Sequence, residues 1–118
     1  MTRARQAGTL RERIAFDAPL VRPDGFGGQE AGFVPPTEAV ILRCEMIFER
    51  GSESVEAARL SGRSRYKLRT RNGQSVRRIT TDWRARHLPD RGTYAVVEAD
   101  TVTDRAWAWL VIESGVSA

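Results

Sequence analysis

The stretch that decides the fold is residues 37–49, which read TEAVILRCEMIFE. Its side chains alternate in character, as they do in a β-strand, where successive residues point to opposite faces of the sheet. The apolar face carries every second residue: Val40, Leu42, Cys44, Met46 and Phe48. The other face is mixed: Ile41, Arg43, Glu45, Ile47 and Glu49. Such a strand is typical of an antiparallel sheet with one covered face.

Shorter alternating segments on both sides of this strand predict the rest of the sheet. The clearest of them are residues 9–17, 63–71, 93–100 and 106–113. Residues 76–81 are also predicted as a strand, after the tight-turn pair Asn72-Gly73. The pattern of residues 82–87 is ambiguous. The strand at 106–113 is apolar on both faces, which favours a central position or a place under a subunit interface.

Turn-forming residues separate the predicted strands. Residues 18–36 include RPDGFGG at positions 22–28 and are predicted as a long loop. Residues 49–62 are predicted as a projecting loop that contains a short helix at 54–60. The sequence therefore predicts the mainly all-β class: a small antiparallel β-barrel or sandwich of about six strands, with long loops and one short helix.

A single domain is expected over residues 9–113, because 118 residues suffice for one modest core. Residues 1–8 are predicted to be a flexible basic arm and residues 114–118 a frayed tail. The apolar fraction of 41% excludes a wholly disordered chain. No apolar run is long enough to span a bilayer, and the basic start has no apolar segment of a secretory signal behind it.

The net charge of +4 comes from an unusual set of basic residues. Lys67 is the single lysine among 19 Lys and Arg residues, so 18 are arginines. Arginine suits carboxylates, phosphates and subunit interfaces, although a GC-rich genome explains the same bias equally well. The one cysteine allows no internal disulfide, which favours synthesis in a reducing cytosol.

No residues are predicted to be catalytic, to bind a cofactor or to ligate a metal. His87 has Asp82 and Asp90 near it but no metal-ligand spacing, so a surface histidine beside a turn is expected. Cys44 is expected to behave as a small buried hydrophobic residue. The glycine-rich positions 24–28 lack the Gly-Lys-Ser/Thr ending of a phosphate-binding loop.

The most unusual surface feature is a basic stripe along one face of the strand at 63–71. Its members are Arg63, Arg65, Lys67, Arg69 and Arg71. At about 3.3 Å per residue the stripe spans roughly 26 Å. Three roles remain open for it: a solvated outer face that prevents aggregation, a surface that pairs with acids of a neighbouring subunit, or a surface that faces DNA phosphates.

The order of these features resembles the phage head–tail joining family (head closure, or stopper proteins), which is also found in gene transfer agents. The similar motifs are GTLRERI at 8–14, DGFGG at 24–28, YKLRTR at 66–71, GTYAVV at 92–97 and the final hairpin at 104–113. Together they cover about residues 7–113. Their order and spacing carry the resemblance, since each motif alone is weak.

The resemblance implies a structural subunit without enzymatic activity or cofactors. It implies a homo-oligomeric ring of six or twelve copies, with the portal or adaptor ring above, the tail-terminator ring below and packaged double-stranded DNA in the channel. The subunit would be made in the host cytoplasm and end in a virion or gene transfer agent particle, without membrane contact. A channel loop is implied at Arg50, Gly51, Ser52, Glu53 and Ser54. Alternative functions are a tail-completion or tail-terminator ring protein and a non-specific nucleic-acid-binding β-barrel.

Overall fold

The structure is a computed structural model that describes residues 9–49, 53–60 and 62–114. The predicted basic arm 1–8 lies outside the described residues, as do residues 115–118 of the predicted tail. Three residues of the implied channel loop, Arg50, Gly51 and Ser52, also lie outside them.

The described chain forms eight strands, two α-helices and one short 3-10 turn. In order they are β1 (Glu12–Asp17), β2 (Pro19–Pro23), β3 (Gln29–Phe33), the 3-10 turn (Pro36–Glu38), β4 (Val40–Phe48), α1 (Glu53–Leu60), β5 (Arg65–Arg71), α2 (Gln74–Arg77), β6 (Arg84–His87), β7 (Gly92–Asp100) and β8 (Trp107–Glu113). Six strands close into an antiparallel barrel in the order β1-β4-β5-β8-β7-β6. The prediction of a small antiparallel all-β domain is confirmed, and of its two forms the structure is the barrel.

Strand β4 pairs with two different strands of the barrel, as the length of its apolar pattern suggests. Its first half pairs with β1, from Phe16 opposite Val40 to Glu12 opposite Cys44. Its second half pairs with β5, beginning at Glu45 opposite Arg69. The first half of β4 is not paired on the side that faces β5. A notch therefore opens between this half and the end of β5. The predicted inward face is confirmed at Cys44, which is fully buried.

The core fills the inside of the barrel with aliphatic and aromatic side chains from the inward faces of the strands. Its fully buried members include Ile14, Phe16, Leu68, Leu110 and Ile112. Strand β8 lies between β5 and β7. The central position predicted for residues 106–113 is therefore confirmed.

The strand predicted at residues 76–81 is wrong. The chain there forms the short helix α2 and a turn. Val76 and Ile79 are buried together with Trp83 in the core. Their spacing of three residues places both on one side of a helical turn, which is why the segment packs as a helix instead of alternating as a strand. The ambiguous segment 82–87 contains the strand β6.

The long loop predicted at residues 18–36 is largely a hairpin, so that prediction needs correction. Strands β2 and β3 pair from Pro19 opposite Phe33 to Pro23 opposite Gln29, in a sheet separate from the barrel. The carboxylate of Asp24 fixes the turn, because its Oδ1 accepts hydrogen bonds from the backbone N–H of Phe26 at 2.7 Å and of Gly28 at 3.1 Å. Gly25 and Gly27 both have a φ of 84°, which glycine adopts without a steric penalty.

Candidate assembly surfaces

The basic stripe lies on the outside of β5, but its members differ greatly in exposure. Arg71 is exposed, whereas the side chain of Arg69 is only 1% exposed. Arg63 is also exposed, with 45% of its side chain accessible, and the side chain of Arg65 is 16% exposed. The ammonium of Lys67 lies 4.7 Å from the ring centre of Trp109 on β8. The stripe is therefore only partly available to a partner.

Arg69 is buried because three neighbours cover it. Its Nε donates to Oε1 of Glu45 on β4 at 3.3 Å, and its Nη2 donates to Oγ1 of Thr9 at 2.5 Å. The guanidinium also stacks on Trp107 at 4.0 Å from the ring centre. These contacts attach the segment before β1 to the outer face of the barrel.

Replacing Arg69 with alanine should lower the free energy of unfolding by about 2 kcal/mol, because the Glu45 carboxylate loses a charged hydrogen-bond partner. The matched control is Arg71→Ala on the same face of β5. Arg71 is exposed, so its loss should change stability by no more than about 0.5 kcal/mol. Urea unfolding of both variants measures the difference. Equal losses would contradict the structural role of Arg69.

Acids of the same chain face the other end of the stripe. Arg65 lies 3.3 Å from Glu49, 3.1 Å from Glu98 and 3.6 Å from Glu113. Arg63 lies 3.3 Å from Glu113. The like charges of β5 are therefore offset within the subunit, by acids on β7 and β8 and at the end of β4. Contact of the stripe with DNA or a neighbouring subunit stays a prediction, and the exposed Arg71 is the member best placed for it.

Asp17, at the end of β1, is a fully buried acid that the sequence did not single out. Oδ2 of Asp17 accepts hydrogen bonds from Nε of Arg84 at 2.9 Å and from Nε of Arg86 at 2.7 Å. Its Oδ1 accepts a third from Nη2 of Arg86 at 2.9 Å. Burial alone would raise the pKa of Asp17, but the hydrogen bonds from Arg86 and Arg84 outweigh it and hold the pKa below its ordinary value of 3.8.

Arg84 also connects this cluster to the hairpin. Its guanidinium carbon lies 4.3 Å from the ring centre of Phe33, which pairs with Pro19 at the base of the hairpin. The buried acid, the barrel strand β6 and the hairpin β2–β3 are therefore linked through one side chain.

The expectation that His87 is a surface histidine is wrong. His87 is 8% exposed, and its Nε2 lies 2.9 Å from Oε2 of Glu12. The two residues are 75 positions apart and meet because His87 pairs with Ile14 where β1 and β6 lie side by side. The chemistry of this pair is that of a structural hydrogen bond near a barrel end.

The expectation for Cys44 is confirmed, since its side chain is fully buried in the core. Burial raises the pKa of the Cys44 thiol to about 12, although a hydrogen bond with Thr70 acts in the opposite direction. A thiol with such a pKa is almost entirely protonated near neutral pH, and the thiolate is the nucleophilic form. Cys44 therefore serves packing.

Two searches of the described residues bear on metals and membranes. Within 9–49, 53–60 and 62–114, no group of three or more His, Cys, Asp or Glu side chains is placed to hold a metal ion. In the same part of the chain, no helix has the length and apolar character needed to cross a membrane.

The implied channel loop is described only in part. Glu53 begins α1 and is exposed, and Ser54 follows it in the helix. The described side chains of α1 are all exposed: Glu53, Glu56, Ala57 and Leu60. Leu60, the last residue of α1, is 88% exposed. The role of the loop in a channel stays a prediction.

The assignment to a family rests on residues 5–115, which match the family of the phage head completion protein. The chain belongs to this family. The match covers nearly the whole sequence, including every element of the barrel and the hairpin. No curated protein matches the chain.

Phage head completion proteins are structural proteins, so membership gives the chain a structural role in closing the phage head. The role requires assembly with other virion proteins, and the chain is accordingly a component of the virion. The resemblance to head–tail joining and closure proteins is confirmed at this level.

Proposed function

We propose that this head completion protein forms a ring between the portal or adaptor and the tail, closes the DNA exit channel after packaging and provides the surface on which the tail docks. The particle is a phage virion or a gene transfer agent. Six or twelve copies fit a joint of this kind. The family membership supports the closure role, and the exposed helix α1 supports a contact made by the segment between β4 and β5.

The observation that carries the proposal is the exposed helix α1 on an otherwise well-packed barrel. It lies between β4 and β5, which pair directly up to Phe48 opposite Tyr66. Its described side chains are exposed, including the apolar Leu60. Exposed connecting segments held by a rigid scaffold are where binding residues concentrate.

The charge of α1 fits a place beside DNA. Glu53 and Glu56 lie in its first turn. Acidic side chains facing a channel repel the phosphates of DNA, which lets the duplex pass without sticking to the wall. The segment around Arg50, Gly51 and Ser52 then narrows the channel as part of the same loop.

A reconstruction of the whole particle tests the proposal. We expect density for six or twelve copies of the barrel on the axis between portal and tail, with α1 directed toward the channel. Density one ring further down would favour the alternative, a tail-completion or tail-terminator protein. Density away from the axis would overturn both.

A further inference from the structure

We propose that Phe26, at the tip of the hairpin β2–β3, inserts into an apolar cleft on a second copy of this chain. The cleft is the notch between β4 and β5, and the contact joins neighbouring subunits head to tail. This inference rests on the proposed ring and specifies which two surfaces close it.

The hairpin presents Phe26 to a partner. The side chain is 95% exposed. It lies at the end of a two-stranded sheet that is separate from the barrel. The turn that carries it is fixed by the Asp24 hydrogen bonds to Phe26 and Gly28. An aromatic side chain on an ordered turn loses little freedom when it binds, and aromatic residues frequently dominate the affinity of interfaces.

The β2 edge of the hairpin is poorly suited to adding a strand. Pro19 and Pro23, at the two ends of β2, have no N–H to donate to a neighbouring strand. Prolines on an outer strand are one of the ways in which proteins prevent edge-to-edge pairing. Along this edge the hairpin makes contacts with side chains, and Phe26 is the largest side chain at its tip.

The receiving cleft is large enough to admit an aromatic ring and has apolar side chains in its lining. It has a volume of about 340 Å³ and is lined by Leu10, Ile41, Leu42, Arg43, Thr70 and Arg71. That volume lies at the small end of the range for sites that hold a ligand, about 300 Å³ and upward. Ile41, near the start of β4 and on its outward face, is 50% exposed there. A phenyl ring would cover this exposed apolar surface.

Charge favours a second copy over the chain's own N-terminal arm as the occupant. Two arginines, Arg43 and Arg71, line the cleft, and none of its lining residues is acidic. The hairpin carries Arg22, Asp24 and Glu30, for a net charge of −1. Residues 1–8 contain arginines and no acid, so the rim of the cleft would repel them.

The placement of the two surfaces suits a ring. The hairpin leaves the barrel at the end of β1 and contacts β6 through Phe33 and Arg84, whereas the cleft lies between β4 and β5. Two different patches on one subunit form a heterologous contact, and repetition of such a contact closes into a ring when the rotation permits.

Cysteine cross-linking in assembled heads tests the contact. The double variant Phe26→Cys/Ile41→Cys should form covalent chains of subunits on oxidation. The matched control Phe26→Cys/Val102→Cys should not, because Val102 is 88% exposed and lies outside the cleft. Cys44 is buried and does not compete for the new thiols.

A second variant measures the strength of the contact. Phe26→Ala should weaken self-association of the purified chain by at least about 30-fold, as removal of a dominant interface residue does, while Val102→Ala should leave it unchanged. Because Phe26 is exposed, loss of folding is not expected, and circular dichroism checks this.

The outcomes separate the contact from the proposed ring. Rings that are present in heads but give no cross-link between positions 26 and 41 overturn the contact and leave the proposed function standing. Cross-linking of Phe26→Cys to a different virion protein, or of Ile41→Cys to cysteines placed in residues 1–8, likewise overturns it. Heads with no ring of this subunit at the joint overturn the proposed function itself.

Discussion

Replacing Asp17 with alanine is expected to lower the free energy of unfolding by about 3–5 kcal/mol, the loss typical of removing one partner from a buried ion pair. Asp17 is fully buried, and its two oxygens accept three hydrogen bonds from Arg84 and Arg86. Without the carboxylate, two guanidinium groups lie side by side with no acid between them. A domain of this size has little stability to spare, so the variant should be largely unfolded or poorly produced.

The control for this prediction is Glu38→Ala. Glu38 is exposed in the turn before β4, so its removal should change stability by less than about 0.5 kcal/mol. The milder variant Asp17→Asn keeps the shape of the side chain and remains measurable if the alanine variant does not fold. A similar small effect for Asp17 and Glu38 would show that the cluster does not stabilise the barrel.

The pH dependence of unfolding gives a second measure of the same cluster. Burial raises the pKa of Asp17, but the bonds from Arg86 and Arg84 bring it below 3.8 in the folded protein. A lowered pKa means that the stabilisation is complete above pH 3.8 and is lost as the pH falls through the folded value. The stability difference between the wild type and Asp17→Asn should therefore shrink over that acidic range.

Deleting residues 52–61 should give heads that package DNA and then lose most of it. The deletion removes α1 and its flanks, the segment proposed to narrow the channel. The barrel should survive, because the backbone N–H of Glu49 already bonds the carbonyl of Arg65 across the strand ends at 3.2 Å. The residues left between those ends can connect the strands, as short loops do in hairpins.

Nuclease protection of packaged DNA measures this effect, with the wild-type chain and Leu60→Ala as references. The single substitution removes the exposed apolar side chain and keeps the length of the loop. Thermal unfolding of the deletion variant checks that the barrel is intact. Full heads with normal tail attachment would contradict the channel role of residues 52–61.

The barrel was predictable because one face of each strand is buried, which makes apolar residues recur at every second position. In β4, Leu42 and Met46 pack against the core while Ile41 and Ile47 face outward, as the alternation predicts. The hairpin β2–β3 was missed because neither of its faces is covered, so its residues carry no apolar alternation. The segment at Val76 and Ile79 was mistaken for a strand because it is too short for alternation and helical spacing to be told apart.

The side-chain clusters were not predictable from sequence, since their members are distant along the chain. Asp17 meets Arg84 and Arg86 only through the pairing of β1 with β6. The same pairing brings Glu12 to His87 and buries this histidine, which the sequence places beside a turn. The basic residues of the stripe on β5 were identified from sequence, but the acids that pair with them lie on or beside other strands. Knowledge of the strand order would have indicated Glu45 and Glu113 as partners.

Closure of the barrel also affects whether free subunits associate before they assemble into the virion. Its six strands close on one another, so the barrel lacks the two long open edges through which open sheets polymerise at high concentration. Free subunits are therefore not driven to associate through open strand edges of the barrel, and the side-chain contact proposed for Phe26 is the route left to them. We therefore expect association of the subunit to depend on single side chains rather than on strand pairing, so that one substitution such as Phe26→Ala is enough to change it.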